Sequence, residues 1–179
     1  IGTNGVVAYG IIMYVGFIFV GTYMGYAVGS APVISYHYGA GNKDELKNLF
    51  KRSLTIIIVS SVVMTLIAEI IAGYLAGIFV SYDNNLLELT TEAIRIYAVS
   101  YLISGVNIFA SSFFTALNNG VVSAVISFMR MFVFQIVMIL LLPVVLGISG
   151  IWTAVIAAEV LSVVISVMFL VKNRKKYSY

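Results

Sequence analysis

Residues 31–42 read APVISYHYGAGN and end the first long apolar run of the chain. Pro32 removes one backbone hydrogen bond, so it bends the last turns of the predicted helix. Gly39, Gly41 and Asn42 then stop the helix, because Gly and Asn accept the left-handed backbone that a helix end requires. Residues 43–52 start a new basic helix with its apolar positions on one face. A hinge between two helices is the simplest interpretation of this stretch.

The composition places the chain in the class of membrane proteins. Its 179 residues are 61% hydrophobic and 9% charged, with a mean hydropathy of +1.07. Soluble domains carry about 25% charged residues. Because there is no cysteine and only one histidine, the sequence excludes disulfides, thiol catalysis and multi-His zinc motifs. The chain starts with Ile and has no leading signal peptide, so we expect it to be a piece of a longer protein.

Five apolar segments reach the roughly 20 residues that a membrane-spanning helix requires. They lie near 6–36, 53–80, 92–117, 121–146 and 150–171. The connections between them are short, which makes sequential spans antiparallel neighbours. The sequence therefore predicts an all-α, polytopic transmembrane bundle that forms a single membrane domain over residues 1–179.

The basic residues predict the orientation of the bundle. Eight Lys and Arg residues lie in the loop after the first span and in the C-terminal tail, whereas only Arg95 lies on the opposite side. Cytoplasmic loops carry an excess of such residues. We therefore expect an external N-terminus, a cytoplasmic C-terminus and at least one further span upstream. The net charge of +3 belongs to this asymmetry, and no nucleic acid is predicted as a partner.

Polar residues form one narrow stripe along the third span. Ser100, Ser104, Asn107 and Ser111 recur at steps of four, three and four residues, and Thr115 continues the series. This spacing puts them on one helix face, which is expected to avoid lipid. Two interpretations stay open: the stripe lines an aqueous, substrate-accepting cavity, or it forms hydrogen bonds between packed helices.

Two ionisable residues inside neighbouring spans fall at nearly one depth. Arg130 lies ten residues beyond Gly120, or about 15 Å from the cytoplasmic end of the fourth span. Glu159 lies twelve residues before Val171, about 18 Å from the same side. A lone charge is expensive in the bilayer, so we predict an intramembrane ion pair. A proton site at Glu159, or a lone Glu159 facing lipid or a cavity, are the alternatives.

Small residues form a ridge on the first span. Gly21, Gly25 and Gly29 make a doubled small-xxx-small pattern that lets another helix approach closely. The ridge is interpreted either as a sliding surface or as a site of static packing. Together with Pro32, Gly39, Gly41 and Asn42, these glycines are the candidate packing or hinge residues.

The order of these features resembles the multidrug and toxic compound extrusion (MATE) family. The resemblance runs from Ala8-Tyr-Gly-Ile11 through P-x-I-S-Y-x-Y-G-A-G-N and Phe113-Phe-Thr-Ala-Leu117 to Gly150-Ile-Trp152 and Ala158-Glu-Val160. It implies that the chain corresponds to spans eight to twelve of a twelve-span transporter whose N-terminal lobe is missing. It also implies a plasma-membrane antiporter that exports organic, often cationic compounds in exchange for H⁺ or Na⁺.

One departure from the family limits what the resemblance implies. Coupling acids of the family lie mainly on the first span and, in one branch, on the seventh and tenth; the third span here would be the tenth and has no acid. Asn107 is its nearest polar group, so no ion ligand is predicted from the resemblance. No enzymatic activity is predicted either, because the lone His37 has no carboxylate next to it in sequence and the carboxylates inside the spans form no spaced pair on one helix. The sequence predicts no metal and no cofactor. A lipid-linked oligosaccharide flippase of the same superfamily and a non-transporting membrane scaffold are the alternative functions; the flippase usually needs more cations than Arg130 alone.

Overall fold

The computed structural model describes residues 2–179, apart from the side chain of Ile148. The described residues form helices joined by short turns and contain no strand. In chain order the helices are α1 (Gly2–Gly39), α2 (Lys43–Val80), α3 (Asn84–Ala98), α4 (Tyr101–Ala116), α5 (Gly120–Phe128), a π-helical segment (Met129–Phe134), α6 (Gln135–Leu146) and α7 (Ile148–Tyr177).

Four helical stretches are long and apolar enough to cross a membrane: Thr3–Gly39, Lys43–Val80, Gly120–Leu146 and Ser149–Tyr177. The pair α3 and α4 makes a fifth candidate span, bent by 47° at its break. The predicted all-α polytopic bundle is therefore confirmed, with five spans when the bent pair counts as one. Its outer surfaces carry large apolar side chains, such as Ile70 and Val144 at 80% and 83% exposure, as expected of helices that face lipid.

The turn between α1 and α2 is closed by its own backbone. The amides of Ala40 and Asn42 donate to the carbonyls of Tyr36 and His37 at 2.9 and 3.0 Å. Gly41 has a φ of +69°, the left-handed conformation that favours glycine at a helix end. Asn42 then caps α2, because its side-chain oxygen accepts a hydrogen bond from the Glu45 amide.

The sequence predicts one span over 92–117, whereas the structure begins earlier, at Asn84, and breaks the span between Ala98 and Tyr101. Side chains of neighbouring helices donate hydrogen bonds to the backbone carbonyls at this break. Thr65 of α2 donates its hydroxyl to the Ala98 carbonyl at 3.3 Å, and Tyr23 of α1 donates to the Tyr101 carbonyl at 3.1 Å. These long-range partners come from other helices, so the local sequence contains no signal for the bend.

The fourth span contains a second irregularity. Residues Met129–Phe134 form a π-helix between α5 and α6. Such wide turns are rare and frequently occur at functional sites. This one contains Arg130, whose side chain contacts Glu159 of α7. A turn at Gly147 (φ +62°) then leads into α7, where Gly150 packs directly on the Leu142 carbonyl of α6.

Candidate functional site

A cleft of about 640 Å³ lies between α1, α4 and the fourth span. Its α1 wall is mostly apolar and includes Met24, Val28 and Pro32. The other walls carry six polar side chains: Asn107, Ser111, Ser112, Thr115, Ser127 and Arg130. Ser35 adds a seventh from α1. Volumes of 300–1,000 Å³ with apolar walls and a few polar groups are typical of small-molecule sites.

Two serines tie the apolar wall to the polar one. Ser112 of α4 donates to the Ala27 carbonyl of α1 at 3.0 Å, and Ser35 of α1 donates to the Ala116 carbonyl at 2.8 Å. These bonds cross between the same two helices in opposite directions. They hold α1 and α4 side by side along the cleft.

The polar wall is a cluster of hydroxyls between α4 and α5. Ser111 lies 2.9 Å from the Ser123 hydroxyl and 2.7 Å from that of Ser127, and Thr115 lies 2.7 Å from Ser123. A hydroxyl can donate one hydrogen bond and accept two, so the members of such a cluster can exchange roles. The wall therefore offers either donors or acceptors to a molecule in the cleft.

Arg130 and Glu159 form an ion pair at the edge of the cleft. Arg130 Nη2 lies 2.8 Å from Glu159 Oε1, and Arg130 Nε donates to Oε1 and Oε2 at 2.9 and 3.1 Å. The Arg130 side chain is 17% exposed and that of Glu159 is 8% exposed. Each charge is thus neutralised by the other where either alone would be costly.

Asn107 extends this pair into a buried network. Its Nδ2 donates to Glu159 Oε2 at 2.6 Å and to the Glu159 carbonyl at 3.1 Å. Its Oδ1 accepts a hydrogen bond from Ser166 at 2.8 Å. Asn107 is fully buried, and its amide uses both its donor and its acceptor sides. The network Arg130–Glu159–Asn107–Ser166 therefore joins the π-helical segment, α7 and α4.

The predicted stripe divides into two parts. Asn107 and Ser111 lie at the cleft, and both also form hydrogen bonds to neighbouring helices, so the two interpretations of the stripe stay open at these residues. Ser100 and Ser104 lie away from it, at 1% and 2% exposure beside the break between α3 and α4. There the Ser104 hydroxyl donates to the Ser100 carbonyl at 2.8 Å.

The predicted packing and hinge residues have different surroundings. Gly21, Gly25 and Gly29 are exposed, and nothing described lies within 4 Å of a Cβ placed on them. The ridge thus contacts no helix among residues 2–179. Pro32 lines the cleft, Gly39 is the last residue of α1, and Gly41 lies in the turn that leads to the cap Asn42.

The sequence analysis did not single out Gly105, although side chains of two other helices pack directly against it. A Cβ at Gly105 would lie 2.7 Å from Ser61 Oγ and 3.2 Å from Tyr23 Cδ1. The one sequence feature that could have indicated this close packing is a single glycine beside the polar stripe. Ser35 and Ser112 were also missed as cleft residues, because neither follows a helical spacing with the stripe.

The described residues contain no cluster of three or more metal-ligating side chains. The polar groups at the cleft are hydroxyls and the neutralised ion pair of Arg130, which the buried amide of Asn107 supports from behind. Such groups bind and orient an organic molecule by hydrogen bonds and apolar contact.

Comparisons with known proteins agree with this architecture. The MatE family model matches residues 1–141. Three solved structures are similar: a multidrug resistance MATE family transporter of the MOP superfamily facing outward (TM-score 0.91, 17% identity), the Vibrio cholerae MATE transporter VcmN in its bent form (0.89, 18%) and a multidrug resistance MATE family transporter facing inward (0.80, 18%). None of the curated protein sequences matches the chain.

The three structures are longer than this chain. The alignments cover 98%, 98% and 96% of the chain but only 40%, 40% and 38% of the transporters. At these identities the structures establish the fold. Since the family model matches well over half of the 179 residues, the chain belongs to the MatE family of membrane transporters.

Proposed function

We propose that the chain is part of a secondary active transporter that exports organic, often cationic compounds by H⁺ or Na⁺ antiport. The cleft between α1 and α4 carries this proposal, because it combines about 640 Å³ of space with one apolar and one hydroxyl-rich wall. Membership of a transporter family supports the general class. The cleft supports an organic substrate, since apolar walls favour aromatic or aliphatic groups and hydroxyls accept the remaining polar ones.

The charge of the cleft favours cations over anions. Its single charged lining residue is Arg130, and Glu159 neutralises that charge at 2.8 Å. An organic cation therefore meets no uncompensated positive charge. A lipid-linked phosphate would require unpaired cations to hold it, so the same observation counts against a flippase.

We further propose that the chain corresponds to spans eight to twelve, with its N-terminus outside and its C-terminus in the cytoplasm of a plasma membrane. The eight basic residues near one end, against Arg95 at the other, support this orientation. The alignment with about 40% of longer transporters is compatible with a missing N-terminal lobe. A substrate-accepting cavity in such a protein then lies between two lobes.

The test fills the cleft and measures export in the full-length protein. Ser111→Phe places a ring among the hydroxyls of the cleft, whereas Val121→Phe adds a ring at a residue that is 76% exposed. We expect cells expressing Ser111→Phe to accumulate a fluorescent organic cation such as ethidium, and cells expressing Val121→Phe to export it at the wild-type rate. Both variants must reach the membrane in equal amounts.

Wild-type export by Ser111→Phe would contradict the cleft as a substrate site. Absence of export even in the unmodified protein, with several organic cations and with either an H⁺ or a Na⁺ gradient, would favour the scaffold alternative.

A further inference from the structure

A second apolar depression lies on the opposite side of α4 from the cleft. This groove has a volume of about 410 Å³, and its lining comes from α2, α4 and α7. It shares no residue with the cleft. It opens near the end of the bundle where the basic residues collect.

The lining of the groove changes from charged to apolar along the helices. Lys47, Lys51 and Arg174 lie at its outer end. Deeper along the same helices, the lining residues are the apolar Leu54, Ile58, Val106, Val167 and Leu170. Lys47 and Ile58 are eleven residues apart, which corresponds to about 16 Å of helix. The groove is therefore amphipathic, and it runs from the basic end of the bundle into its membrane-facing part.

The three cations of the groove have no acidic partner among the described residues. Within residues 2–179, the one ion pair closer than 4.0 Å is Arg130–Glu159, and it lies at the cleft. Asp44 and Glu45 belong to the first turn of α2 but do not line the groove. The two lysines and Arg174 are exposed, so their positive charges remain available to an anion.

Aromatic side chains form the side of the groove that faces the interior of the bundle. Phe50 packs on Phe113 and Tyr179 at ring distances of 5.0 and 4.6 Å. The Tyr179 hydroxyl donates to the Leu170 carbonyl at 2.8 Å, and Arg174 Nε donates to the Tyr179 carbonyl at 3.3 Å. The phenol of Tyr179 is neutral at physiological pH, and burial raises its pKa further, so it adds no negative charge beside Arg174.

We propose that this groove binds one anionic phospholipid of the surrounding leaflet. The three cations hold the phosphate, as basic pockets between membrane helices do for anionic head groups. The apolar lining holds an acyl chain. A zwitterionic lipid would bring an ammonium group to the same three cations. A soluble anion would leave the apolar part of the groove empty. The cations and the apolar lining together therefore favour a lipid.

The test compares two triple variants of the full-length protein in detergent. Lys47→Gln/Lys51→Gln/Arg174→Gln removes the groove cations, and Arg52→Gln/Lys172→Gln/Lys175→Gln removes three exposed cations that do not line it. Both lose three positive charges. Binding of phosphatidylglycerol is measured by native mass spectrometry, with phosphatidylcholine and inorganic phosphate as the comparison ligands.

We expect the groove variant to bind phosphatidylglycerol at least about tenfold more weakly than the wild type, because each membrane-facing cation contributes to binding of an anionic lipid. The control variant is expected to stay within about twofold. Phosphatidylcholine is expected to bind more weakly than phosphatidylglycerol, and inorganic phosphate is expected not to displace the lipid.

Equal losses in the two variants, or equal binding of the two lipids, would overturn the proposal. Displacement of the lipid by inorganic phosphate would indicate a free-phosphate site instead. If the groove variant does not fold, Val167→Trp narrows the apolar part without changing charge. Unchanged phosphatidylglycerol binding by that variant contradicts an acyl chain in the groove and favours a protein segment as its cover.

Discussion

The polar stripe of α4 has two halves with the same residue chemistry and different surroundings. Ser100 and Ser104, at the break with α3, are buried, and the Ser104 hydroxyl donates to the backbone carbonyl of Ser100. Ser111 and Thr115, about two turns further along, share their hydroxyls with α5 at the wall of the cleft. Helical spacing specifies the face on which a residue lies, but the neighbouring helices decide whether that face is packed or open.

Gly105 and Asn107 mark the border between these halves. Beside Gly105, α1 and α2 come so close that a Cβ would meet Ser61 and Tyr23. At Asn107 the stripe instead meets the carboxylate of Glu159. Close packing therefore fills the first half, whereas a charged network supports the second.

The largest expected effect comes from breaking the network under the open half. Arg130→Ala leaves the Glu159 charge buried at 8% exposure without its partner, and Glu159→Ala does the same to Arg130. Each variant is expected to lose about 3–5 kcal/mol of stability. The measurement is the thermal unfolding of the full-length protein in detergent, with Lys175→Ala as the control.

The charge-swapped variant Arg130→Glu/Glu159→Arg is expected to recover part of this loss. Recovery stays partial because Asn107 Nδ2, which donates to Glu159, would then face a second donor. If the swap is no more stable than the worse single variant, the two charges do not stabilise each other.

A smaller effect is expected from the glycine of the packed half. Gly105→Ala introduces a Cβ at 2.7 Å from Ser61 Oγ, and overpacking of this kind costs about 1–3 kcal/mol. Gly25→Ala is the matched control on α1, where a Cβ meets no described atom within 4 Å. We expect Gly25→Ala to leave unfolding within about 0.5 kcal/mol of the wild type, or to raise stability through better helix propensity.

A destabilised Gly25→Ala in the full-length protein would show that the ridge Gly21, Gly25 and Gly29 packs on a helix outside residues 2–179. Equal losses of stability from Gly105→Ala and Gly25→Ala would contradict the inference that Gly105 is closely packed and Gly25 is not.

The smallest effect is expected from losing the hydrogen bond that Ser166 donates to Asn107. Ser166→Ala removes the hydroxyl that donates to Asn107 Oδ1 at 2.8 Å, which is expected to cost about 1 kcal/mol in a membrane bundle. Ser162→Ala is the control one turn earlier on α7, since its buried hydroxyl has no hydrogen-bond partner among the described residues. The same unfolding assay distinguishes them; a larger loss from Ser162→Ala would contradict the network.

Much of the fold was predictable because a membrane-spanning helix requires an apolar segment of about 20 residues, which is visible in the sequence. The short turns also made α6 and α7 antiparallel neighbours, and from that arrangement the depths of Arg130 and Glu159 followed by simple helix geometry. The structure brings these two residues to 2.8 Å, and the functional role of the pair remains a prediction.

The bend near Ser100 and the π-helix at Arg130 were not predictable from local sequence. The bend depends on hydroxyls of Tyr23 and Thr65, which lie 78 and 33 residues from the carbonyls they bind. The contact between Asn107 and Glu159 likewise joins residues 52 apart. Periodicity describes one helix at a time, so it could not show which half of the stripe would reach the cleft.

The central claim is that the open half of this stripe accepts the transported compound while the other half stays packed. Cysteine labelling of the full-length protein in the membrane tests it most directly, using Ser111→Cys and Ser127→Cys at the cleft and Ser100→Cys and Ser104→Cys at the packed end. A water-soluble maleimide is expected to label the first pair rapidly, and an exported organic cation is expected to slow that labelling. The second pair is expected to stay unlabelled. Equal protection of all four cysteines, or labelling at Ser111→Cys that no exported compound slows, would contradict the account.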